Sequence, residues 1–373
     1  MIGPPEIISL SDDQVTICYP AVLEKLEIEP AIGEGVPCKV VYPPQVIEPA
    51  RLLHFEGLSP DTEYNFEGLN VRTLKQPPGE LLACLACVTD LHFGDAVCRS
   101  LGSAPTSPLF TRRPGDLAHP QLMNGGAISS IIHAEIINDR NFDYIIAKGD
   151  LTSSGSDQEF ALFASNYLEK FGQRMLYIRG NHDAKSDSSI PKISKVSHVT
   201  NGVELALLDT NITDMTSGYI DDGQLEWISS LESSQNKLIF LFGHHHPFSP
   251  DSAKKDPNYF GIEPDTSKSL VNLIEQNRKI VGYFAGHTHR NRIRYFSQTD
   301  CVPYVETACI KDFPGSWTEY RIFEGGTLQI HRRIEDPDCL AWSEANRSLY
   351  GGLYPDYAMG KITDRSLFIN YRK

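Results

Sequence analysis

Carboxylate and imidazole side chains recur in five short blocks along the chain: Asp90-Leu91-His92, Gly149-Asp150, Gly180-Asn181-His182-Asp183, His244-His245-His246-Pro247 and Gly286-His287-Thr288-His289. The first three and the last two each follow an apolar run, where a strand is expected to end. One D-x-H or one Gly-Asp arises by chance in many chains, but five blocks in fixed order do not. Together they offer carboxylate oxygens, imidazole nitrogens and one amide oxygen. That mixture suits borderline first-row metals such as Mn, Fe, Zn or Co better than an all-oxygen Mg or Ca shell. There are enough ligands for two neighbouring divalent cations. Such a pair is a device for attacking phosphorus, because it lowers the pKa of a shared water, aligns the resulting hydroxide and stabilises both attacking and leaving oxygens. No covalent intermediate is required, so no serine or cysteine nucleophile is assigned.

The elements that must position these blocks alternate between strand-like and helix-like patterns. Leu81 to Thr89 is almost wholly apolar, as a strand buried on both faces should be, and Phe142 to Ala147 and Met175 to Arg179 read as further strands. Helical spacing marks Gln121 to Asp139, Asp157 to Phe171, Asp222 to Leu231 and Thr266 to Asn277, with strands expected at Val203 to Leu208, Leu238 to Phe242 and Ile280 to Ala285. This is an α/β layered pattern. Loops at the carboxyl ends of such strands gather in one crevice, so residues far apart in sequence should converge. After Arg290 the runs Ile293 to Phe296, Val302 to Thr307, Thr318 to Phe323 and Leu328 to Arg332 predict an antiparallel second half.

Ahead of this region, Ile7 to Thr73 holds short β-rich runs separated by Pro and Gly, which predict a small β-sandwich. The stretch Gly57 to Phe66 resembles the corner before a late strand of fibronectin type III domains. Lys75 to Glu80, with two prolines and a glycine, reads as a linker. The expected division is therefore 1–76 for the β-sandwich, 77–334 for a catalytic domain and 335–373 for a C-terminal extension that packs on it. That tail is rich in aromatics and Gly, and either covers the site or mediates a homo-oligomer contact, through Tyr350, Tyr354, Tyr357 and Arg365.

Composition narrows the classes. With 34 basic against 48 acidic residues the formal charge is −14, which argues against a surface that tracks long nucleic acids. No run of eighteen apolar residues and no basic-then-apolar start is present, so neither a membrane span nor a secretory signal is expected, and the protein reads as cytoplasmic. Cys84-Leu85-Ala86-Cys87 matches C-x-x-C, yet it has no second copy and sits inside a strand-like run. Both thiols are therefore expected in the core.

The ordered set D-x-H, GD, GNHD, H-x-P and G-H-x-H resembles the signature of the calcineurin-like metallophosphoesterase superfamily over roughly Leu81 to Glu324. The resemblance implies a four-layer α-β-β-α sandwich, two mixed sheets between helices. It implies that Asp90, His92 and His289 hold one metal, that Asn181, His245 and His287 hold the other, and that Asp150 bridges them. His245 is selected because it stands two residues before the proline, with His244 as the fallback in a run of three histidines. His182 would serve as catalytic proton donor or charge stabiliser at the leaving-group oxygen, and Asp183 would cap a turn beside the site. The implied cofactors are two divalent ions, Mn, Fe or Zn.

Gly149 to Phe160, with its GDLT-x-x-G-x-x-x-E-aromatic pattern, resembles the corresponding stretch of class III cyclic nucleotide phosphodiesterases and their glycerophosphodiesterase relatives. Purple acid phosphatases, which also carry an N-terminal β-domain, have an iron-binding Tyr three residues after this Asp. Here that position is Ser153, which argues against a ferric centre. The expected activity is hydrolysis of a small phosphodiester; a phosphomonoesterase and a non-catalytic scaffold of the same fold are the alternatives. His119 in the long loop after Asp90 is read as a solvated loop residue and Lys254 and Lys255 as solvated charges. Tyr259 and Phe260 are read as packing of their own loop rather than a stacking platform.

Overall fold

The computed structural model describes residues 4–23, 28–31, 38–41, 46–48, 50–66, 68–94, 125–231, 238–348 and 353–372. His119, Tyr350 and most of the insertion after Gly94 lie outside the described residues.

Two six-stranded mixed sheets make the frame. In the first, Leu81–Val88 is central. It pairs in parallel with Tyr144–Lys148, which pairs in parallel with Met175–Ile178, and on its other side it pairs antiparallel with Ser316–Phe323. Gly326–Arg333 and finally Leu367–Ile369 extend this sheet antiparallel. The C-terminal segment thus supplies its last strand. In the second sheet Val203–Leu207, Leu238–Phe242, Ile280–Ala285 and Pro303–Glu306 run parallel, with Val196–Thr200 and Arg292–Tyr295 antiparallel at the two edges.

Side-chain alternation along these strands explains the layering. Leu85 and Cys87 point toward the second sheet, where they share a core with Leu205, Phe240, Phe242 and Phe284. Ala86 and Val88 point the other way, onto Ile132 and Ile137 of the Gly125–Asn138 helix and onto Phe163 and Tyr167. The outer face of the second sheet covers Ile228 of the Asp222–Ser230 helix and Leu270, Val271 and Ile274 of the Pro264–Gln276 helix. Because the inner strands are covered on both faces, they read as continuous apolar runs. The result is the α-β-β-α sandwich. Cys84 and Cys87, three residues apart on one strand, face opposite sides. Burial pushes their thiols up to about 11 and about 12, so they are inert core thiols rather than a chelating pair.

The expected single helix from Asp157 to Phe171 holds in extent. Ser156 caps its start by accepting from the Glu159 backbone, and a π-turn at Ala164–Leu168 interrupts its middle.

The N-terminal β region is antiparallel. Glu6–Leu10, Gln14–Tyr19 and Arg51–Glu56 form one sheet, and Glu63–Phe66 pairs with Leu69–Arg72. Ile8, Cys18, Ala21 and Ala50 pack against Phe313, Trp342, Tyr354 and Ala358, which joins this region to the Pro337–Ala345 and Tyr354–Met359 helices. Arg365 strengthens the junction by donating to the carbonyls of Ile8 and Met359.

Candidate metal centre

The strand ends deliver the five blocks to one place. Leu81–Val88 leads to Asp90, Tyr144–Lys148 to Asp150, Met175–Ile178 to Asn181, Leu238–Phe242 to His244 and Ile280–Ala285 to His287. Glycines make the approach possible. At Gly149 (φ 94°) a side chain would strike the His244 ring, and at Gly180 it would overlap the Asp150 carboxylate. The ligand-type residues are themselves strained. Asp90, His92, Asp150, His287 and His289 all have φ between 46° and 68°, a region that costs an L residue about 1–2 kcal/mol. Five such residues at one site mark a functional constraint.

Each carboxylate is pinned on part of its surface and offers the rest. Asp90 Oδ2 accepts from Thr89 Oγ1 at 2.6 Å and from the His287 backbone N–H at 3.1 Å. Its Oδ1 lies 3.3 Å from His289 Nε2 and has no hydrogen-bond partner. Asp150 faces both ways: Oδ2 is 3.4 Å from His92 Nε2, and Oδ1 is 3.4 Å from His244 Nε2. Donor atoms of Asp90, His92 and His289 lie within 4.8 Å of one another, as do those of Asp90, Asp150 and His244 and those of His244, His245 and His287.

Both histidines of the expected fourth block, His245 and its fallback His244, lie in the second half of the cluster with His287. His245 is buried, but its Nδ1 is 2.8 Å from Thr210 Oγ1 and its Nε2 has no hydrogen-bond partner. His244 is the ring that reaches the carboxylate and amide: its Nε2 is 3.3 Å from Asn181 Oδ1 while its Nδ1 donates to the Lys148 carbonyl at 2.7 Å. His287 Nε2 donates to the Phe260 carbonyl at 3.0 Å, which leaves Nδ1 for the cluster.

The electrostatics fit a cation centre. Burial pushes Asp150 up, but His244, hydrogen-bonded to it, together with His92 and His182 outweighs burial and holds the carboxyl well below the usual range. Burial lowers His287, helped by neighbouring His244, to about 4, and lowers His92, helped by Lys311, and His245, helped by His287. These three rings are neutral at pH 7 and free to ligate. His244 goes the other way: burial opposes it, yet Asp150 and Asp90 carry it to about 9. A positive charge is wanted at that point, and a metal ion can supply it in place of the proton.

Around the ligands, several groups hold the loops. Asp183 accepts from the backbones of Gly180 (2.8 Å), Leu151 (3.0 Å) and Thr152 (2.8 Å) and from Thr152 Oγ1 (2.6 Å). It is the turn cap that its place in the GNHD block leads one to expect. Glu159, the acidic member of the 149–160 stretch, accepts from Ser154 N and Oγ. His182 donates from its backbone N–H to Asp150 Oδ1 and from Nδ1 to the Ser153 carbonyl. Lys148 was not singled out by sequence: fully buried, it donates to the Ala285 carbonyl at 2.7 Å and to Thr307 Oγ1 at 2.6 Å, tying the two sheets under the site. Asp312, 3.4 Å from His289 Nδ1, was likewise unmarked. Lys255 pairs with Glu263 and Tyr259 donates to the His246 carbonyl, so both belong to their loop.

Comparison with known proteins agrees with this geometry. The sequence profile of calcineurin-like phosphoesterases matches residues 85–291, which contain all five blocks. The chain belongs to the calcineurin-like phosphoesterase family. Relatives of this phosphoesterase include a 3′,5′-cyclic adenosine monophosphate phosphodiesterase, CpdA, of Vibrio vulnificus, 24% identical over 60% of this chain and 86% of that one. A probable glycerophosphodiester phosphodiesterase, GpdQ, of Arcobacter nitrofigilis is 22% identical over 60% and 85%. The fold is shared with a dimetal phosphatase from Danio rerio, with a TM-score of 0.50 and 12% identity over 79% of this chain and all of that one.

Proposed function

We propose that this phosphoesterase hydrolyses small phosphodiesters with two divalent cations. Asp90, His92 and His289 hold the first, Asn181, His244 and His287 the second, and Asp150 lies between them. The observation that carries the reading is Asp150, whose two oxygens face donor sets on opposite sides at 3.4 Å. That spacing is at the long end for a hydrogen bond and natural for two ligands of one ion. The buried, unpartnered Asp90 Oδ1 and His92 Nε2 fit the same assignment, since such atoms are costly unless something fills the gap. The nitrogen-rich donor set favours Mn, Fe or Zn.

Bound there, the cations supply a water that is nucleophilic at neutral pH and neutralise phosphoryl charge. The chain's own residues do the remaining work. Asp90 and Asp150 stay ionised, and neutral His92 and His287 ligate without first losing a proton. His182 is held by Ser153 through its Nδ1–H, which leaves Nε2 for the site; as the imidazolium, with both nitrogens protonated, it can give the Nε2 proton to a departing alkoxide and keep the Ser153 bond. The names of the relatives and the 149–160 stretch extend the proposal to cyclic nucleotide or glycerophosphodiester-like substrates. Among the described residues no helix is long and apolar enough to cross a membrane. Cys18, Cys84, Cys87, Cys301 and Cys309 are free thiols, which favours a reducing, cytoplasmic setting. Hydrolysis of bis-(p-nitrophenyl) phosphate and p-nitrophenyl phosphate, with Mn added, tests the reading. A diester rate at or above the monoester rate is expected, and a monoester rate far above it would reverse the assignment.

A further inference from the structure

Beside the metal centre lies a cavity of about 300 Å³ lined by Phe260, His287, Thr288, His289, Leu353, Tyr354 and Tyr357. Two of its walls, His287 and His289, are candidate ligands, so it adjoins the cluster. The others are aromatic or aliphatic. Phe260 meets the His287 ring edge-on at 5.0 Å. Tyr357 donates to the Thr288 carbonyl at 2.8 Å and carries the Arg290 guanidinium 4.9 Å over its ring. These contacts fix the pocket wall to the loop between His287 and His289. Leu353 and Tyr357 remain 71% and 41% exposed, so apolar surface faces solvent at the mouth of a charged site. Leu353, Tyr354 and Tyr357 all lie beyond residues 85–291, the region common to the family.

Resting on the metal-centred reading above, we infer that this C-terminal wall is a specificity pocket that receives a planar aromatic substituent of the ester, an aryl group or a nucleobase. A cation cluster binds the phosphoryl group and is indifferent to what is attached to it. The attached group must then be selected by the adjoining surface. Rigid aromatic walls select flat apolar rings, because stacking and edge contacts add to simple burial, and apolar pockets with a few fixed polar groups are the usual form of such sites.

Calorimetric titration of Mn-loaded protein with inorganic phosphate, methyl phosphate, phenyl phosphate and adenosine 5′-monophosphate tests this by binding affinity rather than by rate. Phenyl phosphate or the nucleotide is expected to bind about tenfold more tightly than methyl phosphate, and the tighter of the two shows which ring the pocket takes. Leu353→Ala should remove that preference while inorganic phosphate binds as before, and Tyr357→Ala, which also releases the Thr288 loop, should remove it as well. Leu353 is exposed enough for its loss to spare the fold. Tyr357→Phe, which keeps the ring, should retain the preference. Equal affinity for methyl, phenyl and adenosine phosphates, or a preference that survives Leu353→Ala and Tyr357→Ala, overturns the inference. Failure of inorganic phosphate itself to bind would instead remove the metal-centred reading beneath it.

Discussion

The backbone N–H of His182 donates to Asp150 Oδ1 at 2.9 Å, so the residue placed to deliver a proton is tied through its main chain to the carboxylate between the two cation sites. Main chain and side chain therefore separate cleanly in their effects. His182→Ala keeps the backbone bond and should keep both metals. It should lose about 10²- to 10⁴-fold in turnover of esters with alkoxide leaving groups and much less with p-nitrophenolate, which needs no proton. Asp150→Ala should lose both metals and all activity. Metal analysis of the two variants checks the split, and metal loss from His182→Ala would contradict the role given to this side chain.

Two adjacent histidines make a second test. His244 reaches Asp150 and Asn181, whereas His245 is anchored on Thr210. His244→Ala should lower metal content to about one equivalent. His245→Ala should retain close to two, with weaker affinity. The reverse pattern in elemental analysis would restore the register counted from the proline.

Much of this site was legible in the sequence, for a physical reason. Strands buried on both faces are apolar throughout, so each polar block after such a run marks a strand end, and strand ends of one sheet share an edge. The doubt over His244 and His245 could not be resolved this way, because a period-2 pattern says nothing about the turn after Gly243. Lys148 and Asp312 were invisible: each acts through a neighbour more than a hundred or about twenty residues away, with no local spacing to betray it. The edge strand Val196–Thr200, half-exposed and polar, gave no apolar run. The tail was unreadable because its helices are short and its last strand, Leu367–Ile369, owes its place to pairing with Gly326–Arg333.

Asp183 offers a stability test close to the site. Its carboxylate satisfies donors from Gly180, Leu151 and Thr152. Asp183→Asn turns an NH₂ toward those N–H groups, leaving one or more buried donors unsatisfied at about 1–3 kcal/mol each. The variant should melt several degrees lower and bind metal more weakly, as thermal unfolding with and without Mn will show. An unchanged melting temperature would contradict the capping role.

Away from the metals, His133 sets a pH dependence. Burial, with Arg140 adding, pulls its imidazole down to about 3, while an unfolded histidine titrates near 6.5. Between those values the unfolded chain binds a proton that the fold refuses. This contribution to stability is therefore complete above about pH 6.5 and shrinks as pH falls, by about 1.4 kcal/mol per pH unit. Urea midpoints from pH 7 to pH 4.5 should fall less steeply for His133→Gln than for the unaltered protein. Parallel slopes would contradict a neutral buried ring.

The central claim is that residues drawn from five strand ends hold two cations side by side. Anomalous diffraction from crystals grown with Mn tests it most directly. Two peaks about 3.5–4 Å apart, with Asp150 touching both and His244 touching the one nearer Asn181, are expected. A single peak, or two peaks that share no carboxylate, would contradict it.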